Sequence, residues 1–448
     1  MLIIHDLEAT TRNTTIEYTC SFARHAKGVE VDYVNIFGFV ASDDLAEEYD
    51  LAIVTCEALS VRSSACWPDV EKRILELFSR AKRKILLPQD DYTYSSRLDS
   101  LAVKAKVDRV LTPLSDGLEL LYPLATKANI DFKLVLTGYL EAERIKTYNE
   151  FSYALEGRQV DLGQRVSKLP VQFGVGGRRK ADIAERMAQA FADRGYTVDV
   201  STSDKDSFVG EAWLNFLGNT RFTVSRKGGS SLGDTQNRMA ETSSLIRLLA
   251  PWMPDKLVAK FSSKQGVVEG SFEAVSPRLF EAAALGVCQI LEEDDYLDGA
   301  MVPWKHYIPL KSDFSNISEI FNFIENTSKV NQMIEDARYL LVESNLFTYE
   351  KFVRDTIENE LGTLGIGKGI KQRVRDLDGQ DNDSSNPDPS LRETKIYFTK
   401  TSIPQIIKDR FTGHSKILNS LVSNSKRFLP ETYTRPWLGL SAFGKYFK

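Results

Sequence analysis

Apolar residues in the first 145 positions fall into short runs, separated by longer stretches in which they recur every three or four residues. The runs LIIHDL (2–7), VEVDYVNIF (29–37), LAIVTCE (51–57), KILLPQD (84–90), RVLTPL (109–114) and FKLVLTGY (132–139) have the length of strands. Between them, TTIEYTCSFARHAK, WPDVEKRILELFSRAK and SSRLDSLAVKAK carry the spacing of amphipathic helices. Strands alternating with helices at this interval predict a parallel, doubly wound α/β sheet. Several runs end in a polar residue: Asp6, Glu57, Asp90 with Asp91, and Thr137. The carboxyl ends of parallel strands line the ligand crevice of such sheets. Taken singly, each of these residues is better explained as a cap for the next helix; together they mark a functional edge.

Residues 146–169 are polar and read as a connection between domains. The alternation then resumes. VQFGVGG (171–177) reads as a strand, KADIAERMAQAFADRG (180–195) as a helix, YTVDVST (196–202) as a strand, FVGEAWLNFLGN (208–219) as a helix and RFTVSRKG (221–228) as a strand. RLFEAAALG (278–286) starts a helix ended by Gly286, followed by the strands VCQILEE and IPLKSD and by three further helices, the last TYEKFVRDTIENEL (348–361). The pattern predicts two Rossmann-like doubly wound domains, over 1–165 and 166–361. Residues 362–390, dense in Gly, Asp, Asn, Ser and Pro, read as an acidic flexible linker. A basic extension follows over 391–448.

At 448 residues the chain exceeds a single core. Its 42% hydrophobic and 27% charged residues are ordinary for a soluble globular protein. No apolar run approaches the roughly 18 residues that span a bilayer, and the N-terminus reads as a first strand rather than a signal peptide. Four scattered cysteines and four scattered histidines form no metal-ligand grouping and suit a reducing cytoplasm. The net charge of −5 divides unevenly: from residue 390 onward 11 Lys/Arg face 3 Asp/Glu, a net of +8, leaving −13 on the first 389 residues. An acidic body with a basic tail is not a nucleic-acid binder. In the tail, Ile403, Ile407, Phe411, Leu418 and Leu421 recur at helical spacing among basic residues. Such a helix can lie on a membrane surface, on the body, or on a protein partner.

Neither half carries a G-x-G-x-x-G turn or a P-loop, which removes dinucleotide oxidoreductases and P-loop enzymes. GVGGRRKAD (174–182) combines a flexible turn ending at Gly177 with Arg178, Arg179 and Lys180 at a helix start, the ingredients of a phosphate site. In EAVSPRLFE, Ser276 suits the N-cap and Pro277 the first helical position. Glu281 then lies about one turn inside the helix, while Glu273 lies in the loop before it. Arg278 and the helix start between them can meet a diphosphate.

The series SPRLFEAAALGVCQILEED, YIPLKSDFSNISEIFNFI and QMIEDARYLLVESNLFTYEKFVRD resembles the C-terminal half of bacterial glycosyltransferases of the GT-B fold, in particular the CgeB-like, family-1-like enzymes of surface-polysaccharide synthesis. LLPQDDYTYSSRLD and GEAWLNFLGNTRFTVSRKGGSSLGD add to the likeness, which spans roughly 50–360 and leaves the tail unmatched. The resemblance implies a sugar moved from a nucleotide-sugar donor to a glycan or lipid-linked glycan, with no cofactor and no metal. It implies Glu281 on the ribose, Glu273 near the donor sugar, and Arg178 and Lys180 on the diphosphate. The glycine such enzymes place before the helix is replaced by AVSPR, and the histidine that some retaining relatives carry has no counterpart beyond His5. The glutamate spacing favours retention; inversion would need a base, for which Asp90 and Asp91 are the candidates. A sugar-nucleotide epimerase and a non-catalytic scaffold of a polysaccharide-assembly complex are the alternatives.

Overall fold

The computed structural model describes residues 1–362, apart from 11, 39, 42 and 43, together with 373–376. The first sheet contains β1 (Leu2–His5), β2 (Glu30–Asn35), β3 (Tyr49–Val54), β4 (Ala81–Leu86), β5 (Arg109–Thr112), β6 (Asp131–Leu134) and β14 (Arg373–Asp376), ordered β14-β2-β1-β3-β4-β5-β6 and parallel throughout. The second contains β7 (Val160–Arg165), β8 (Val198–Ser201), β9 (Thr220–Ser225), β12 (Cys288–Glu292) and β13 (Ile308–Leu310), ordered β13-β12-β9-β7-β8 and also parallel. A separate antiparallel pair joins β10 (Gly228–Asp234) to β11 (Val267–Ala274).

The helices around the first sheet are α1 (Asn13–His25), α2 (Cys56–Ser60), α3 (Trp67–Phe78), α4 (Ser95–Ala105), α5 (Leu118–Leu121) and α6 (Pro123–Lys127); α7 (Ala142–Glu150) leads to the second domain. There α8 (Gly174–Ala192), α9 (Glu211–Gly218), α12 (Arg278–Ala284), α13 (Ile317–Ile324) and α14 (Thr327–Arg338) flank the sheet, while α10 (Arg238–Leu249) and α11 (Asp255–Phe261) interrupt the antiparallel pair. α15 (Tyr349–Gly362) closes this part of the chain. The expected two doubly wound sheets are present. Each reverses strand order once, between β1 and β3 and between β7 and β9. Those are the points where crevices open at the carboxyl ends of the strands.

Three local readings need correction. VQFGVGG is not a strand: Val171–Phe173 is a short 3-10 turn, and α8 begins at Gly174. A Cβ at Gly174 would collide with Ser231 Oγ, and one at Gly176 would come within 2.9 Å of Ser231 N. These glycines let the helix start against β10. The strand that opens the second sheet is instead β7, inside the stretch read as a connection, so the boundary at 165 falls one strand late. α15 leaves the second domain and packs on the first: Phe352, Val353 and Leu361 share a core with Tyr18 and Phe22. Its Glu360 carboxylate pairs with Arg83 (2.6 Å) and with Arg109. Within the segment read as linker, β14 adds an edge strand beside β2; the rest of 363–390 and all of 391–448 lie outside the described residues.

The antiparallel pair is a second bridge between domains. Asp234 N donates to Tyr92 O (2.8 Å), and Tyr94 N donates to Asp234 O (2.9 Å). Phe272 of β11 is fully buried in the core of the first domain, with Leu114 and Leu121 among its companions.

Candidate active site

The second sheet's crevice is built from groups that leave the ends of β7 and β9. Arg226 follows β9 directly; its guanidinium pairs with Glu273 Oε2 (2.7 Å) and with Glu292 Oε2 (2.7 Å). Arg278, at the start of α12, donates to Arg165 O at the end of β7 and stacks over the Trp213 ring at 4.6 Å. Lys180 of α8 is buried within electrostatic reach of both cations. It is lowered to about 7 by burial, then by Arg278 and Arg226, against the pull of Glu273. Neither Lys180 nor Arg278 forms an ion pair among the described residues. Burial raises Glu273 above the usual carboxylate range despite Arg226. A cavity runs beside this cluster, lined by Trp213, Ser225, Arg226, Ser276, Arg278 and Tyr296 among others.

α12 starts one residue later than expected, with Pro277 rather than Ser276 at the N-cap and Arg278 as the first helical residue. Pro277 has helical dihedral angles (φ −55°, ψ −26°) and Leu279 N donates to Ser276 O (3.0 Å). Pro277 takes the cap position, with no side-chain cap bond, and Ser276 lines the cavity. Glu273 is in β11 rather than a loop. Glu281 accepts from Trp213 Nε1 (2.9 Å); burial raises it, while that bond, Arg278 and Arg144 lower it. It therefore orients the indole on which Arg278 stacks. Glu281→Ala takes this acceptor from the buried Trp213 indole N–H, at a cost of about 1–3 kcal/mol. It is expected to weaken nucleoside-diphosphate affinity about tenfold by loosening Trp213 and Arg278. Titration calorimetry checks this, and an unchanged affinity refutes it.

Other expected site residues go elsewhere. The basic triplet fans out: Arg178 pairs with Asp255 (2.7 Å), Arg179 with Glu292 and Ser312 O, and Lys180 is buried within electrostatic reach of Arg278, Arg226 and Glu273. Gly177 packs under Phe173, so GVGG is a packing device rather than a phosphate loop. Asp91 is fully buried and accepts from Thr112 Oγ1 (2.8 Å) and Tyr122 OH (2.7 Å), which makes it a brace of the first domain and not a base. Exposed Asp90 accepts from Tyr92 OH (2.6 Å).

Across the gap, the first sheet's crevice holds acids. Asp6, after β1, is raised to about 7 by burial, then by Glu57 and Glu8, with an Asn35 hydrogen bond opposing. Glu57, after β3, accepts from Thr19 Oγ1 (2.7 Å) and is raised by burial. Arg278 is lowered chiefly by burial, against the pull of Glu281, with a further lowering from the charge of Arg12 in the first domain. Thr137 Oγ1 donates to Val275 O (2.7 Å), and a Cβ on Gly138 would sit 3.0 Å from Pro277, so α12 is seated against the first domain. Arg226 escaped the sequence reading of the site, although a basic pair directly after a strand in VSRKGG was its signal.

No family model and no curated protein matches the chain. Among solved structures it is similar to HepE of Anabaena in complex with UDP-glucose, at 10% identity and a TM-score of 0.42, over 81% of this chain and 99% of that one. It is also similar to T4 phage BGT in complex with UDP-glucose, at 11% identity and a TM-score of 0.45, over 80% and 98%. A third likeness is to the pneumococcal O-GlcNAc transferase GtfA in complex with UDP and GlcNAc, at 11% and 0.36, over 70% and 57%. What the cleft of this chain binds is decided by its own side chains.

Proposed function

We propose that the chain is a glycosyltransferase that takes a sugar from a nucleotide-sugar donor and passes it to a glycan or lipid-linked glycan in cell-surface polysaccharide synthesis. The observation that carries the reading is the convergence of Lys180 and Arg278, two basic side chains with no ion-pair partner among the described residues, beside Arg226 at the strand-order reversal of the second sheet. A crevice of that kind holds nucleotides, and its surplus positive charge suits a diphosphate.

Glycosyl transfer needs the departing diphosphate stabilised as positive character builds at the anomeric carbon. Preorganised cations in a cleft shielded from water supply that stabilisation. Lys180 and Arg278 hold the diphosphate oxygens, so side-chain cations carry the charge that a divalent metal would otherwise meet. Glu273, fixed by Arg226 beside Lys180, is the carboxylate on the donor side and in this reading approaches the sugar. If the enzyme inverts, Asp6 replaces Asp90 and Asp91 as the candidate base, because burial beside Glu57 brings it near neutrality. Four buried free thiols support a cytoplasmic setting.

Incubation of the full chain with radiolabelled UDP-, GDP- and TDP-sugars tests the reading. Slow hydrolysis of one donor, inhibited by its nucleoside diphosphate, is expected. Failure to bind any nucleotide overturns the proposal and leaves the scaffold.

A further inference from the structure

α10 and α11 stand out from the β10–β11 pair as a helical hairpin with apolar residues on both sides. The inner side is explained by packing: Met239 and Val258 are buried with Val171, and Ile246 and Met253 close over them. The outer side is not. Leu245, Leu248 and Leu249 repeat at i, i+3 and i+4 along α10, and Leu249 is 70% exposed. Trp252, in the turn between Pro251 and Pro254, is 80% exposed, and Phe261 on α11 is 63% exposed. A helix that buries one face is expected to show water a polar one.

The charge around this patch is also out of place. From Arg238 to Lys264 five Lys/Arg face two Asp/Glu, a net of +3, in a stretch of 389 residues that carries −13 overall. We propose that this hairpin docks the protein on an anionic lipid bilayer, seating Leu249, Trp252 and Phe261 at the headgroup boundary while Lys256, Lys260 and Lys264 meet lipid phosphates. Exposed Trp, Phe and Leu interspersed with lysines is the composition of an interfacial segment. A second copy brought up face to face would set +3 against +3. Residues 391–448 share the same positive sign and do not complement the patch. From the hairpin, β11 runs from Val267 to Glu273, about 20 Å at 3.3 Å per residue. Docking there would hold the cleft about that far from the bilayer. The inference stands whatever the cleft binds.

Flotation of the full chain with phosphatidylcholine vesicles, with and without phosphatidylglycerol, tests it. Binding is expected only with the anionic lipid. The variant carrying Leu249→Ser, Trp252→Ser and Phe261→Ser, which keeps the basic tail, is expected to lose at least about tenfold in partitioning. Trp252→Phe is expected to keep binding but to lose most of the blue shift in tryptophan emission on adding vesicles. Partitioning by the triple variant equal to the unsubstituted chain overturns the proposal, as does equal binding to both lipid mixtures. A self-associated chain that the triple substitution makes monomeric without changing vesicle binding would assign the patch to a second copy.

Discussion

Lys180→Met is expected to lower kcat/KM for donor hydrolysis by about 10²–10³, the loss seen when one preorganised stabiliser of a developing negative charge is removed. Methionine keeps most of the length and packing of the side chain and deletes the charge. A second readout separates this from misfolding. In the free protein Lys180 is held down to about 7 by burial and by Arg278 and Arg226. Its folded value lies far below its unfolded one, so the charged form penalises folding, and the penalty is fully present below pH 7 and fades as pH rises toward the unfolded value. The methionine variant should therefore melt at a higher temperature than the unsubstituted chain at pH 6, even as it loses activity. A bound diphosphate stabilises the ammonium and lifts its pKa, so binding above pH 7 takes up a proton. Affinity for the nucleoside diphosphate is then expected to fall as pH rises through about 7, and Lys180→Met should flatten that dependence. Calorimetry in buffers of different ionisation enthalpy measures the proton directly. Undiminished turnover in the variant, or a pH profile unaltered by it, removes Lys180 from the site.

The legible parts of this protein are those whose signals are local. The strands of the first sheet are continuous apolar runs because parallel strands are covered on both faces. All six that the pattern marked are present within a few residues. β7 was hidden because its polar residues are satisfied by distant partners: Gln164 donates to Val224 O, and Arg165 reaches Asp199. β10, written GGSSLGD, looks like a loop because its glycines answer to a neighbour 40 residues away in sequence, where Gly229 lies against the Phe272 backbone. Of the expected site, Glu273, Arg278 and Lys180 do meet in one cluster. Arg178, Gly177 and Asp91 do not, since a basic residue, a glycine or an acid at a strand end has the same appearance whether it faces ligand or core. Only the fold shows that Asp91 is beneath Tyr122 and that Arg178 is spent on Asp255.

Phe272→Ala is expected to destabilise the protein by about 3–5 kcal/mol, the range for a phenylalanine removed from a closed core. Its ring enters the first domain from a strand that belongs with the second. It lies so close to Gly117 (φ +71°) that a Cβ there would be 2.6 Å from Phe272 Cε1. The cavity left behind opens in that core, against which Val268 of β11 also packs, and the two domains lose an anchor as well as packing. The next residue in the chain is Glu273, which fixes Arg226 beside Lys180, so a loosened strand unsettles the cation cluster. Donor affinity should fall with stability, by about tenfold where the variant is still folded. Phe272→Leu keeps most of the apolar volume and should cost well under half as much. Denaturant unfolding of both variants, monitored in parallel with donor binding, separates the two effects. A Phe272→Ala protein within about 1 kcal/mol of the unsubstituted chain would mean that the other contacts between the domains, among them α15, the Thr137–Val275 bond and the Asp234 bonds to Tyr92 and Tyr94, hold them together without this ring. Loss of stability with full donor affinity would mean that the cleft is organised by the second domain without help from the first.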